Sequence, residues 1–449
     1  MKYYSFTKRE AVSLISICLG SFLIILDTNI LNVVMPVIKN KLHIDYTAMA
    51  WVSNSYILTF AGLLLLLSTF AKRIGSKNAF LLGISVFLAG SIFAGFANNY
   101  FWLIAGRIVQ GVGAALFSPV ATLLLNQLFP DAKKKAAAFA IWSGTSGIAF
   151  AFSPIIGGLL SYTFGYRSVF FINIPFVIII ILFGIYTLPN NAKEQTQFHF
   201  KEQIYFIIGL LAFVLFLSFI DIFSVAHTIL ISLLFIAIVF RFIHQIRKDK
   251  LHILPADLFN IQSISSLLSV FSYNLCCYGF MLALSILYQN QLGYNSTLTG
   301  VLFLPFTLSA MLLTTFLSPK ISEKFGLYKG QRYSLISMII GLILVCISML
   351  YRDYYYLLSI GYVFLGFSGM VAPLVTNAIY QDTNPEYHNE ISSFLNIFRQ
   401  FGSMIGIILA TISINYFGII NGIYVVSFLM VILLVIAITL SKTKHRAQY

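Results

Sequence analysis

Asp27 is an acid where acids are costly. It lies in Leu26-Asp27-Thr28-Asn29-Ile30-Leu31-Asn32-Val33-Val34-Met35-Pro36, the close of an apolar run that begins near Val12. That run is long enough to cross a bilayer as a helix. At 1.5 Å per residue, Asp27 falls roughly 13 Å before Pro36, well inside the hydrocarbon zone. An ionised carboxylate there costs at least about 2.5–3.5 kcal/mol unless it meets water, a partner or a proton. Such a cost is rarely kept for packing alone, so the residue reads as functional, with Asn29 and Asn32 suggesting a polar face along the helix. The competing reading is an aspartate capping a short, shallow helix. The length of the run, closed by Pro36, weighs against it.

A second charge sits in Leu103-Ile104-Ala105-Gly106-Arg107-Ile108-Val109-Gln110-Gly111-Val112-Gly113, inside another apolar segment. A guanidinium keeps its proton, so Arg107 must reach a carboxylate, a carbonyl or water. Two readings stand: an arginine holding backbone carbonyls between helices, or a relay or gating residue that senses the charge on Asp27. Gly106, Gly111 and Gly113 permit close approach of a neighbouring helix. Further on, Gly144, Gly147, Ser153-Pro154 and Gly157-Gly158 mark a helix that is kinked by proline and packs tightly. Arg399-Gln400-Phe401-Gly402 again sets an arginine and a glycine within an apolar segment.

The elements that position these residues follow from composition. Of 449 residues, 59% are hydrophobic and only 9% charged, a balance that no soluble surface tolerates. The class is an all-α polytopic membrane protein. Fourteen apolar segments of helix length run from 11–35 to 420–440, the seventh and eighth being 203–220 and 226–246. The first segment is too long for a cleavable signal and carries Asp27. The four cysteines fall in apolar runs without metal-ligand spacing and read as small hydrophobes.

The net charge of +14 is a matter of topology. With an even number of spans, 22 of the 28 basic residues fall on the side of the termini. Four (Lys39, Lys41, Arg167 and Arg352) fall on the other side, and Arg107 and Arg399 lie in membrane segments. The positive-inside rule puts both termini in the cytoplasm and leaves no case for a nucleic-acid partner. Lys72-Arg73-Ile74-Gly75 and Glu323-Lys324-Phe325-Gly326 mark a weak repeat that maps segments 1–6 onto 9–14. Three regions result: a six-helix half at 1–188, two inserted helices with their links at 189–263, and a second six-helix half at 264–449.

Taken together, these residues resemble the fourteen-helix drug:proton antiporter branch of the major facilitator superfamily, along essentially the whole chain. The stretch from Leu26 to Pro36 is similar to that branch's first-helix motif. Arg107 with Gln110 and Gly111 resembles its fourth-helix motif, and Pro154 with Gly157-Gly158 the fifth-helix motif of antiporters. The resemblance implies a major facilitator fold working by alternating access, with its site between the halves near the midplane. It implies Asp27 as the proton site, and Arg107, Gln110 and Asn32 in the proton pathway or gate. Its cargo would be small hydrophobic drugs and dyes, cationic or zwitterionic, exchanged for protons by a monomer in the cell membrane. Two positions depart from the pattern. Ser68 and Lys72 stand where the loop after the second helix usually has a glycine and an acid, although Glu323 keeps an acid in the second half.

Beyond Asp27 no carboxylate falls at mid-membrane: Asp221 lies at an outer helix edge and Glu390 at an inner one. The seven histidines fall in loops or at helix ends. Paired acids, metal clusters and nucleophile–base pairs are not apparent, so neither cofactor nor metal is expected. Tyr56, Tyr273, Tyr278, Phe280 and Arg399 are the candidates to line a substrate cavity. The alternatives are an exporter of one metabolite or antibiotic on the same skeleton and, more remotely, a polytopic sensor or membrane enzyme. The charge split predicts that a cysteine at Gln195, with the four native cysteines removed, stays unlabelled by an impermeant thiol reagent applied to intact cells. Labelling from outside would overturn the fourteen-helix count.

Overall fold

The computed structural model describes residues 6–190, 260–351, 355–383 and 388–441, with positions 233 and 237. Among them, twelve helices are long and apolar enough to cross a membrane. They match twelve of the fourteen expected segments, while 203–220 and 226–246 lie outside the described residues.

Helix α1 (Lys8–Leu42) opens on a capping box in which Thr7 Oγ1 accepts from Glu10 N at 3.2 Å and Thr7 N donates to Glu10 Oε2 at 2.7 Å. These bonds satisfy donors that a helix start leaves open. Pro36 does not end the helix, contrary to the sequence expectation: α1 continues to Leu42 and closes on His43, whose φ is 53°. Proline removes one backbone donor, and the apolar residues after it keep the turn packed, with Ile38 fully buried. There follow α2 (Tyr46–Ile74), α3 (Ser76–Gly95), α4 (Tyr100–Leu128), α5 (Ala132–Thr163), the short α6 (Ser168–Phe171) and α7 (Asn173–Thr187).

After the gap come α8 (Ile261–Ile286), a π-helical turn at Leu287–Gln291, α9 (Ser296–Leu302), α10 (Leu304–Phe316), α11 (Ser318–Phe325) and α12 (Leu327–Leu350). The span Tyr356–Gln381 is discontinuous: α13 (Tyr355–Phe367) passes through a 3-10 turn at Ser368–Met370 into α14 (Val371–Gln381). Helices α15 (His388–Phe417) and α16 (Ile419–Leu440) complete the described chain.

The weak sequence repeat has a backbone counterpart. Gly75 between α2 and α3 has φ 89° and ψ 145°, and Gly326 between α11 and α12 has φ 80° and ψ 162°. A side chain would strain either turn, which is why glycine stands at both. The described residues form two compact units, one within Met1–Gln203 and Tyr288–Leu302, the other within Ile204–Leu287 and Phe303–Tyr449.

In the second unit α8 and α15 cross closely. A Cβ at Gly402 would strike the Phe271 carbonyl, one at Gly406 the Leu275 carbonyl, and one at Gly279 would lie 2.5 Å from Gly406 O. Within a bilayer, where lipid is as apolar as leucine, such backbone approach is a main source of helix association. Gly406→Val should therefore lower the apparent melting temperature of the purified protein by several degrees, in line with about 1–3 kcal/mol for overpacking. An unchanged melting curve would show that the crossing is loose.

Candidate functional site

In the first unit, five helices bring polar side chains to one point. Asp27 on α1 is 3% exposed and Arg107 on α4 fully buried. Arg107 Nη1 donates to Asp27 Oδ2 at 2.6 Å and to Gln110 Oε1 at 2.8 Å. Arg107 Nε donates to Val52 O on α2 at 3.1 Å, and the guanidinium carbon lies 4.3 Å from the Tyr56 ring centroid. Arg107 thus ties down a neighbour's carbonyl and pairs with the acid, so it makes the contact that each of the two readings calls for.

The other carboxylate oxygen is also held. Gln110 Nε2 donates to Asp27 Oδ1 at 3.2 Å and to Ser91 Oγ on α3 at 2.7 Å. Asn173, the first residue of α7, donates through Nδ2 to Asp27 Oδ1 at 3.4 Å and to Ser91 Oγ at 3.1 Å. Asp27 thus has one charged partner and two amide partners. Among the described residues it is the only acid in the buried set.

Glycines let these helices converge. A Cβ at Gly106 would lie 2.6 Å from Ala94 N, one at Gly90 2.5 Å from Gln110 N, and one at Gly111 2.7 Å from Tyr56 O. Gly90 and Gly106 join α3 to α4 and so set Ser91 beside Gln110. Gly111 brings α2 close enough for the Val52 carbonyl to reach Arg107.

Asn32 is not brought into this cluster. It is fully buried, and neither atom of its carboxamide has a hydrogen-bond partner. Five residues at 3.6 per turn put it about 140° around α1 from Asp27. Asn29 is turned back on its own helix, donating to Ile25 O at 2.8 Å. Tyr56, expected in a substrate cavity, is instead fully buried beneath the Arg107 guanidinium. The residues that complete the cluster, Ser91 and Asn173, were missed in the sequence. Asn173, a polar residue at the head of an apolar run two places before Pro175, was the available signal, whereas a single serine such as Ser91 carries none.

On α5, Pro154, Gly157 and Gly158 do pack closely. A Cβ at Gly157 would lie 3.1 Å from Ile30 O, and one at Gly158 would strike the Ser296 carbonyl of α9. Reciprocally, a Cβ at Gly300 of α9 would strike the Pro154 carbonyl. Ser296 Oγ donates to Gly158 O at 2.9 Å, and Ser153 Oγ bonds the Ala149 carbonyl. Gly147 is half-buried. Gly144 differs from expectation, because nothing lies within 4 Å of a Cβ built there and no close approach requires glycine at that turn.

In the second unit, Tyr273 and Phe280 of α8 are buried and Tyr278 is half-buried. Arg399 of α15 donates through Nη2 to Thr376 Oγ1 at 2.8 Å and to Ala372 O at 3.4 Å. Cys18, Cys276 and Cys277 are buried and Cys346 is half-buried. Among the described residues no group of histidine, cysteine and acid side chains is arranged to hold a metal ion.

The ion pair makes a directional prediction. Arg107→Gln leaves a buried carboxylate without its charge partner, a loss of about 3–5 kcal/mol in a buried pair. The double variant Asp27→Asn/Arg107→Gln removes both charges and should recover most of that loss. Equal melting temperatures for the single and double variants in detergent would mean that the two charges are not coupled.

Comparison with known proteins agrees with this architecture. The family pattern described as Major Facilitator Superfamily matches residues 17–406 and 267–448. The chain is 30% identical over 413 residues to a methylenomycin A resistance protein of Bacillus subtilis (strain 168), covering 90% of this chain and 87% of that protein. It is 28% identical over 412 residues to the multidrug resistance protein Stp of Mycobacterium tuberculosis, covering 89% and 75% of the two chains. Among solved structures, a POT family transporter in complex with 5-aminolevulinic acid superposes with a TM-score of 0.71. That alignment covers 98% of each chain at 15% identity, a likeness of fold. The chain is a multi-pass membrane transporter and belongs to the Major Facilitator Superfamily.

Proposed function

We propose that this transporter is a proton-coupled exporter of hydrophobic cationic or zwitterionic compounds, working by alternating access in the cell membrane with both termini cytoplasmic. The observation that carries the reading is the buried Asp27–Arg107 pair at 2.6 Å, an acid whose charge has one strong partner inside a membrane-spanning helix. A proton on Asp27 removes that charge and weakens the pair. Arg107 then stays anchored by Val52 O, Gln110 and the Tyr56 face, and α1 is left held at this point by the amides of Gln110 and Asn173. A cationic substrate favours the ionised acid and a proton the neutral one, and their competition links the two fluxes. The carboxylate is sealed in this conformation, so either exchange requires its surrounding helices to move. The regions 1–188 and 264–449 would be the two moving halves, with 189–263 an insert between them.

Relatives named for drug resistance support export as the direction. A relative named for a single antibiotic favours a second reading, an exporter of narrow range. Efflux of a panel of unrelated dyes and drugs separates the two: transport of one compound alone supports the narrow reading.

Asp27→Asn preserves shape and hydrogen bonding while fixing the site in a neutral state. The expected result in liposomes of equal protein content is normal insertion with loss of pH-gradient-driven, uphill efflux of a monovalent cationic dye. With one such acid among the described residues, about one proton would move per cycle, and exchange for a monovalent cation would be nearly electroneutral. Full proton-coupled transport by the Asn variant would remove Asp27 from the mechanism.

A further inference from the structure

The two arginines within membrane helices are treated differently by the fold. Arg107 has a carboxylate, whereas Arg399 has only neutral partners: the hydroxyl of Thr376 and the carbonyl of Ala372. The Thr376 hydroxyl spends its own proton on Ala372 O at 2.8 Å, so it meets Arg399 purely as an acceptor. Arg399 Nε is buried without a hydrogen-bond partner. The ion pairs among the described residues are Asp27–Arg107 and Glu10–Lys134, and neither involves it.

Snorkelling does not account for Arg399. It lies eleven residues into α15 from His388, roughly 16 Å along the axis. Gly402 and Gly406, three and seven residues on, hold this side of α15 against the α8 backbone, which fixes Arg399 toward protein and not lipid. Its two acceptors lie on α14, just after the 3-10 turn at Ser368–Met370 that breaks the span. Tyr273 and Tyr380 stand within electrostatic reach. Unlike Arg107, Arg399 is half-buried as a whole residue, although its Nε is sealed from solvent. A permanent cation with unused donors beside a broken membrane helix lacks a counter-charge, and a planar guanidinium matches a carboxylate through two parallel hydrogen bonds.

We infer that Arg399, seated on Thr376 and Ala372, is the binding subsite for a carboxylate group on the transported compound. This rests on the exporter reading and deepens it, because it selects acids and zwitterions among hydrophobic cargoes.

The test uses the purified full-length protein and two matched pairs, 1-naphthoate and indole-3-acetate against their methyl esters. At least one acid should bind the wild type on the order of tenfold more tightly than its ester. Arg399→Gln should bring the two to parity, and Arg399→Lys should keep part of the preference as a point charge. Wild type with no acid preference in either pair overturns the inference, as does a preference that survives in Arg399→Gln. Should the Gln variant not fold, phenylglyoxal modification of Arg399 in the wild type, read by mass spectrometry, decides. Protection by the acid and not by the ester supports the subsite, and equal protection or none overturns it. Efflux of a cationic dye by the wild type in liposomes is read separately. Failure of that assay counts against the exporter, whereas lost acid discrimination with efflux intact counts against the subsite alone.

Discussion

A charge inside a membrane helix is stable only if something answers it, and the first unit is organised by that constraint. Asp27 and Arg107 answer each other at 2.6 Å, so neither helix can shift far without leaving an uncompensated charge in a low-dielectric interior. The surrounding amides complete the arrangement: Gln110 touches both partners, and Asn173 brings the start of α7 to the same carboxylate. Helices α1, α2, α3, α4 and α7 meet at this pair, so a change at the one point touches five elements at once.

Glycine supplies the geometry that the charges need. Hydrogen bonds of 2.6–3.4 Å between short side chains on different helices require backbones closer than larger residues allow. The meeting of Gly90 and Gly106 with α4 and α3, and of Gly111 with α2, gives that closeness. The same device joins α5 to α9 through Gly158 and Gly300, and α8 to α15 through Gly402 and Gly406. Without a hydrophobic drive between helices, these crossings rest on dispersion and a few hydrogen bonds. Crossings of that kind can slide or separate at modest cost, which suits a protein that must change conformation to work.

Arg107 and Arg399 look alike in sequence, each in an apolar segment with glycine close by. Their environments differ. One is fully buried and paired with an internal acid, and the other is half-buried and meets only neutral oxygens.

The sequence by itself determined the membrane class and the twelve described spans, and it singled out Asp27 and Arg107 as charges within apolar segments. Hydrophobic length and misplaced charge are local properties, and each is legible one segment at a time. It also marked the two repeated stretches that end on Gly75 and Gly326, where the structure has positive φ. Only the tertiary structure decided which polar residues share a site. Asn32 is five residues from Asp27 and turned away from it, whereas Ser91 and Asn173 are 64 and 146 residues distant in number and belong to the same cluster. Tyr56 changed from a cavity candidate to the platform under Arg107, and Gly144 from a contact to an open position, for the same reason. In helices apolar all round, periodicity does not say which face meets which neighbour. That assignment is made by pairwise close approach between helices distant in sequence, a property that no single segment contains.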